Sequence, residues 1–264
     1  MKPWVFRRPW HVDKRRRKIL VPTREWGLCG VGAVESESGT SGTYVTDMVA
    51  GAGYAVIWVQ TGGAVSVPSL SDDLGNAWSK KVNTNVSYQS AIFTTVCSSP
   101  GTATLTCTIG GSSTTWKWLV FKICPRMPWQ QVSVSNTFST SEDATGTSHY
   151  CASISGFNVA ADSTIIGCSS AVAASGGFTA GTSGATAYRE WANDADLGAF
   201  SGYTAVAMTN ERVPFSTGNS IATKACCVAF KFTLAPEYSW AANSGGITHD
   251  YPPLISRPTI VLPY

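Results

Sequence analysis

Apolar residues along this chain recur at every second position far more often than every third or fourth, and that period predicts strands, whose side chains alternate between two faces. Tyr54, Val56 and Trp58 stand at alternate positions of one run, and Thr102 to Ile109 alternates apolar with polar. Between Trp116 and Ile123 nearly every position is apolar, as a central strand buried on both faces requires. The last strong strand spans 225–232, with Cys226, Val228, Phe230 and Phe232 on one face and Cys227, Ala229 and Lys231 on the other. Further strands are expected at Tyr88 to Val96, His149 to Ile154, Ser163 to Ser170, Thr186 to Trp191 and Tyr203 to Met208.

Two features punctuate the strands. Ser66 to Leu70 and Ala77 to Val82 flank Asp73-Leu74-Gly75-Asn76, which reads as a hairpin because Gly and Asn accept the positive φ of tight turns. Residues 125–148 carry Pro125, Pro128 and a polar run from Ser139 to Ser148 without helical period, and read as a long crossing loop or a short edge ribbon. No stretch sustains i, i+3, i+4, i+7 spacing over ten residues. The expectation is an all-β chain, a two-sheet antiparallel β-sandwich of the jelly-roll kind over 26–235, favoured over two immunoglobulin-like units. An extended arm (1–25) and a Pro-rich extended tail (236–264) flank it.

Composition agrees: 44% of the 264 residues are hydrophobic and only 13% charged, which excludes a disordered chain or a coiled coil. No apolar run reaches the roughly 18–20 residues of a membrane span. Charge adds something the strands do not. Residues 1–24 hold nine basic residues against Asp13 alone, a net charge of +8; the rest, ten basic against fifteen acidic, carries −5.

The basic segment lacks the apolar core of a secretory signal, since only Ile19-Leu20-Val21 follows Lys18 before Pro22. Arg16-Arg17-Lys18 resembles a twin-arginine signal without that core, and Leu28 stands where a lipoprotein site before Cys29 needs a small residue. The chain is therefore expected to be made in a cytoplasm without a signal peptide. Its eight cysteines, without C-x-x-C or C-x-x-H spacing, are expected mainly as free thiols buried like small hydrophobes. A zinc site from sequence-distant residues is the minor alternative.

Ser71-Asp72-Asp73-Leu74-Gly75-Asn76-Ala77-Trp78, followed by Tyr88-Gln89-Ser90-Ala91-Ile92-Phe93 and Gly101-Thr102-Ala103-Thr104-Leu105-Thr106, resembles a group of β-sandwich proteins common in bacterial genomes and prophage-like regions. That group runs D-S-x-G-N-x-W, a strand ending in an aromatic, then G-x-x-x-V-T-V-T. Asp162-Ser163-Thr164-Ile165-Ile166-Gly167 is similar to the opening strand of the group's second half, so the resemblance covers about residues 44–232. It implies a sandwich and no catalytic residues; the basic arm departs from the pattern.

Catalytic motifs are few. There is no G-x-S-x-G elbow, H-E-x-x-H or P-loop, and no cofactor is expected. Of His11, His149 and His249, the strand-end His149 is expected as a surface or satisfied core residue. Glu142/Asp143 and Asp194/Asp196 raise the paired-carboxylate chemistry of glycosidases, and Asp72-Asp73 with Asn76, or Asp194-Ala195-Asp196, a calcium site; turn chemistry accounts for both more simply.

The arm interleaves Trp4, Phe6 and Trp10 with Arg7 and Arg8, then runs through Arg15, Arg16 and Arg17. These aromatics and guanidinium groups suit docking on a neighbouring subunit. Phosphate binding by a basic arm is the second reading, and a solvated tail the third. The function expected is a non-enzymatic structural subunit of a self-assembling particle or appendage, such as a phage or virion protein. Its partners are copies of itself or other particle subunits, with possible nucleic acid at the arm, and its final place is a virion or extracellular assembly. The alternative is a lectin-like module stacking glycans on Trp78, Trp129, Trp191 or Trp240.

Overall fold

A computed structural model describes residues 27–60, 68–83, 88–111, 114–125, 130–153, 155–171, 175–183, 186–193 and 196–234. The arm residues Trp4, Phe6, Arg7, Arg8, Trp10, Arg15, Arg16 and Arg17, the tail 236–264, and Trp129, Trp240, His11, His249 and Asp194 lie outside them. The described chain is all β, antiparallel throughout. No helix among the described residues is long and apolar enough to cross a membrane.

The first half contributes β1 (Leu28–Val31), β2 (Glu35–Gly39), β3 (Ser41–Met48), β4 (Gly53–Gln60), β5 (Pro68–Asp72), β6 (Ser79–Asn83), β7 (Gln89–Val96), β8 (Gly101–Ile109) and β9 (Thr114–Ile123). One sheet has the order β1-β9-β4-β7-β6, with β2 continuing the line of β1 along β9; the other is β3-β8-β5. From β2 to β5, and again from β7 to β9, successive strands alternate between the two sheets, which is jelly-roll-like connectivity. Tyr54, Val56, Trp58, Leu105, Trp116 and Trp118 fill the space between these sheets.

The second half repeats the scheme with β10 (Gln130–Tyr150), β11 (Phe157–Val159), β12 (Ser163–Ala171), β13 (Phe178–Ala180), β14 (Thr182–Ser183), β15 (Thr186–Ala187), β16 (Arg189–Asn193), β17 (Leu197–Thr204), β18 (Met208–Glu211) and β19 (Pro214–Leu234). Its large sheet, β10-β19-β12-β17-β16, has the strand order of β2-β9-β4-β7-β6, and β11-β18 answers β3-β8. Strands β4, β6 and β7 begin at 53, 79 and 89, and β12, β16 and β17 at 163, 189 and 197, a displacement of about 110 residues each time. Phe157, Ile165, Phe178, Phe200 and Phe215 form this half's own core.

The jelly-roll-like sandwich is thus present twice, where the sequence leads one to expect a single two-sheet body over 26–235, and the two large sheets face each other. Ile57, Phe121 and Ile123 of the first half pack with Ile166, Val228 and Phe230 of the second in one continuous cluster. Strands β4 and β12 are therefore buried along their whole length on both faces. Each fully buried Ile, Val or Phe contributes about 1.5–3 kcal/mol, so the joint is a core and not a loose contact between domains.

Several local expectations need correction: the strand expected at Tyr203 to Met208 is Leu197–Thr204 instead, and the one expected from His149 ends at Tyr150. Residues 130–148 are not a long loop but belong to a 21-residue edge strand paired to β19, longer than the short edge ribbon that is the other expectation. Register shifts between Val134 and Phe138, Asp143 and Gly146, and Gly146 and Ser148 break the two-residue period there, which hides the strand from periodicity.

The run around Gly75-Asn76 is not a hairpin, because β5 pairs with β8 and β6 with β7, in different sheets. It is a corner between sheets. Asp72 Oδ1 accepts the N–H groups of Leu74 (2.9 Å) and Asn76 (3.1 Å). Asn76 Oδ1 accepts the N–H groups of Ser98 and Ser99, both at 2.9 Å, and its Nδ2 donates to Ser99 O at 3.1 Å, clipping the corner to the β7–β8 turn. Gly75 has φ 77°, as the sequence leads one to expect.

Candidate functional site: the root of the arm

Where the arm joins the body, four segments are stitched together. Leu28 lies in the joint core and β1 pairs with β9. Cys29 is bonded to Cys124, just beyond β9, and Cys124 N–H donates to Gly27 O at 2.8 Å. This disulfide departs from the expectation of free thiols: antiparallel pairing at the sheet edge brings the two Cα atoms to 5.7 Å, within disulfide reach, across 95 residues of sequence. The other six cysteines are buried thiols, as expected.

The end of β19 lies at the same corner. Gly27 packs against the ring of Phe232 so closely that a Cβ there would collide with it, and Phe232 lies two residues before the end of β19. Phe232 N–H donates to Asp162 O at 2.9 Å. The Asp162 carboxylate accepts from Tyr203 Oη and, at 3.3 Å, from Gln130 Nε2. Gly27, the first described residue, and Phe232, two residues before the last described one, therefore meet at one cross-linked corner.

Beside the root, where β1 gives way to β2, a shallow cleft of about 210 Å³ is lined by Gly30, Gly32, Tyr44, Asp47 and Lys122. Lys122 Nζ donates to Asp47 O at 3.2 Å. The volume falls below the roughly 300–1,000 Å³ of small-molecule sites, leaving space for one small polar group.

The other sequence candidates are committed to structure. His149 is buried: Nε2 donates to Gly146 O at 3.0 Å, Nδ1 lies 3.2 Å from Thr223 Oγ1, and the ring stacks on Phe215. Asp72 and Asn76 spend their oxygens on N–H groups and Asp73 Oδ1 accepts Thr104 N–H at 2.9 Å, so this cluster is a turn and not a cation site. Asp196 pairs with Lys117 at 3.2 Å, tying the two halves together. Glu142 and Asp143 fall on the edge strand opposite Lys224 and Thr223. No group of three or more metal-ligating side chains occurs among the described residues.

Of the glycan-stacking candidates, Trp78 and Trp191 are half-buried, with N–H groups donated to Asp72 Oδ2 (2.5 Å) and Ser201 Oγ (2.6 Å). Arg189 covers the Trp191 ring at 4.1 Å.

Sequence reasoning missed Glu211. This buried carboxylate accepts Tyr188 Oη at 2.7 Å, Ser183 Oγ at 3.0 Å and Val213 N–H at 3.2 Å, between Asn210 and Val213, both at positive φ. It organises the β18–β19 turn; nothing in Met208-Thr209-Asn210-Glu211 sets it apart from a solvated loop. In comparisons with family models, curated proteins and solved structures, nothing matches this chain.

Proposed function

We propose that the protein is a non-enzymatic structural subunit of a self-assembling particle or appendage, of the phage or virion kind, whose arm and tail dock on neighbouring copies. The observation that carries this reading is the cross-linked corner from which both extensions leave. A segment that holds subunits together transmits its load to its root, and here the root is secured by a disulfide, a strand pairing and the joint core. Three large aromatics among the arm's cations supply the anchors that interfaces favour. Jelly-roll sandwiches serve both capsids and lectins, so the reading rests on the arm and its root and not on the fold.

Deleting residues 1–24 tests it. The body should keep its β circular dichroism while the assembly seen by light scattering and negative-stain microscopy shrinks. Assembly unchanged by the deletion would overturn docking. Retention on single-stranded DNA that weakens steeply with salt would reassign the arm to nucleic acid. A full-length protein that stays small and binds a glycan array would favour the carbohydrate-binding module.

A further inference from the structure

We propose that Cys168 and Cys226 form a second disulfide, across β12 and β19, which closes while the joint between the two sandwiches is open and is sealed when the joint shuts. The two residues stand directly opposite each other in the antiparallel register. Their Sγ atoms are 3.2 Å apart, in thiol hydrogen-bond contact with no side chain between them. Both side chains face the joint core, both are 0% exposed, and Ser90 Oγ of the first sandwich lies 3.5 Å from Cys226 Sγ.

The pairing is selective. Cys227, next in sequence, turns to the opposite face, where its Sγ donates to Cys151 O at 3.5 Å. Cys97 and Cys107 belong to the first sandwich's own core.

A disulfide of a small monothiol, such as oxidised glutathione, supplies the electron acceptor. The Cys226 thiolate attacks one of its sulfurs, forming a mixed disulfide and releasing one glutathione thiolate. Cys168 Sγ then attacks the Cys226 sulfur and expels the second thiolate, and the two protein thiol protons pass to the two glutathiones. In the closed protein both thiols are fully buried in the joint core, where glutathione cannot reach them, and burial also pushes the Cys168 thiol pKa well up, so the exchange runs while the joint is open.

The test is to refold the reduced, full-length protein in a buffer of reduced and oxidised glutathione, alkylate it in denaturant, and map its peptides without reduction. The expected map joins residue 168 to 226 and residue 29 to 124. Alkyl label on both 168 and 226, or either linked elsewhere, overturns the proposal whatever the state of Cys29–Cys124. Sealing is read separately: dithiothreitol without denaturant should open the half-buried Cys29–Cys124 bond at least about tenfold faster than Cys168–Cys226. Equal rates would overturn the sealing step.

Discussion

The indole N–H of Trp78 donates to Asp72 Oδ2 at 2.5 Å, so the last residue of the corner motif is bound to its first. Trp78 also packs against the first sandwich's core. D-x-x-G-N-x-W is therefore one closed hydrogen-bonded unit that turns the chain from the outer sheet to the central one. Removing either end should release the other. We expect Asp72→Ala to cost about 2–4 kcal/mol, because it strips the acceptor from several N–H groups. Trp78→Ala should cost about 2–3 kcal/mol, less than a fully buried indole. In urea melts of the single and double variants, a coupling of about 1 kcal/mol or more is expected; strict additivity would break the closed-unit description.

Gly75 carries positive φ with nothing within 4 Å of a Cβ placed on it. Its cost on substitution is therefore conformational and not steric. Gly75→Val should destabilise by more than about 1 kcal/mol, and Gly75→Asn by clearly less, since Asn tolerates the left-handed region. Equal melting points for the two variants would contradict this.

Reduction of Cys29–Cys124 opens a loop spanning 95 residues. Chain entropy then favours the unfolded state, and a loss of about 2–5 kcal/mol is expected. Urea titrations of the parent and of Cys29→Ser, both without reductant, check it: the variant's midpoint should lie lower by the equivalent of that loss, and an unchanged midpoint would refute it.

Burial pushes the Cys107 thiol from 9.0 up to about 12, and the Tyr54 hydroxyl, held against Asp47 O, from 10.0 to about 12. Raised folded pKa values mean that the unfolded chain loses these protons first. The stability they contribute is complete below about pH 9 and falls as pH rises towards about 12. Thermal melts should decline over that window, and Cys107→Ala should flatten the decline above pH 9. A parent midpoint that holds level from pH 8 to 11 would refute the assignment.

Local alternation in this sequence suffices to determine an all-β chain, the central strand Trp116 to Ile123 and the opposed faces of Cys226 and Cys227, because which face a side chain takes depends only on its immediate neighbours along a strand. The positive φ at Gly75 is local in the same sense. Pairing is not local. Whether Ser79 to Asn83 turns back on Pro68 to Asp72 or joins Gln89 to Val96 depends on which apolar faces must be covered, and only the packed sheets decide it. The same holds for Cys29 and Cys124, neighbours only once β1 has paired with β9, and for the edge strand from Gln130, whose bulges erase its period and whose partner lies at the far end of the chain. The second sandwich is audible in the sequence at Asp162 to Gly167, but its placement against the first follows from burying two apolar faces at once, a property of the whole fold and of no single segment.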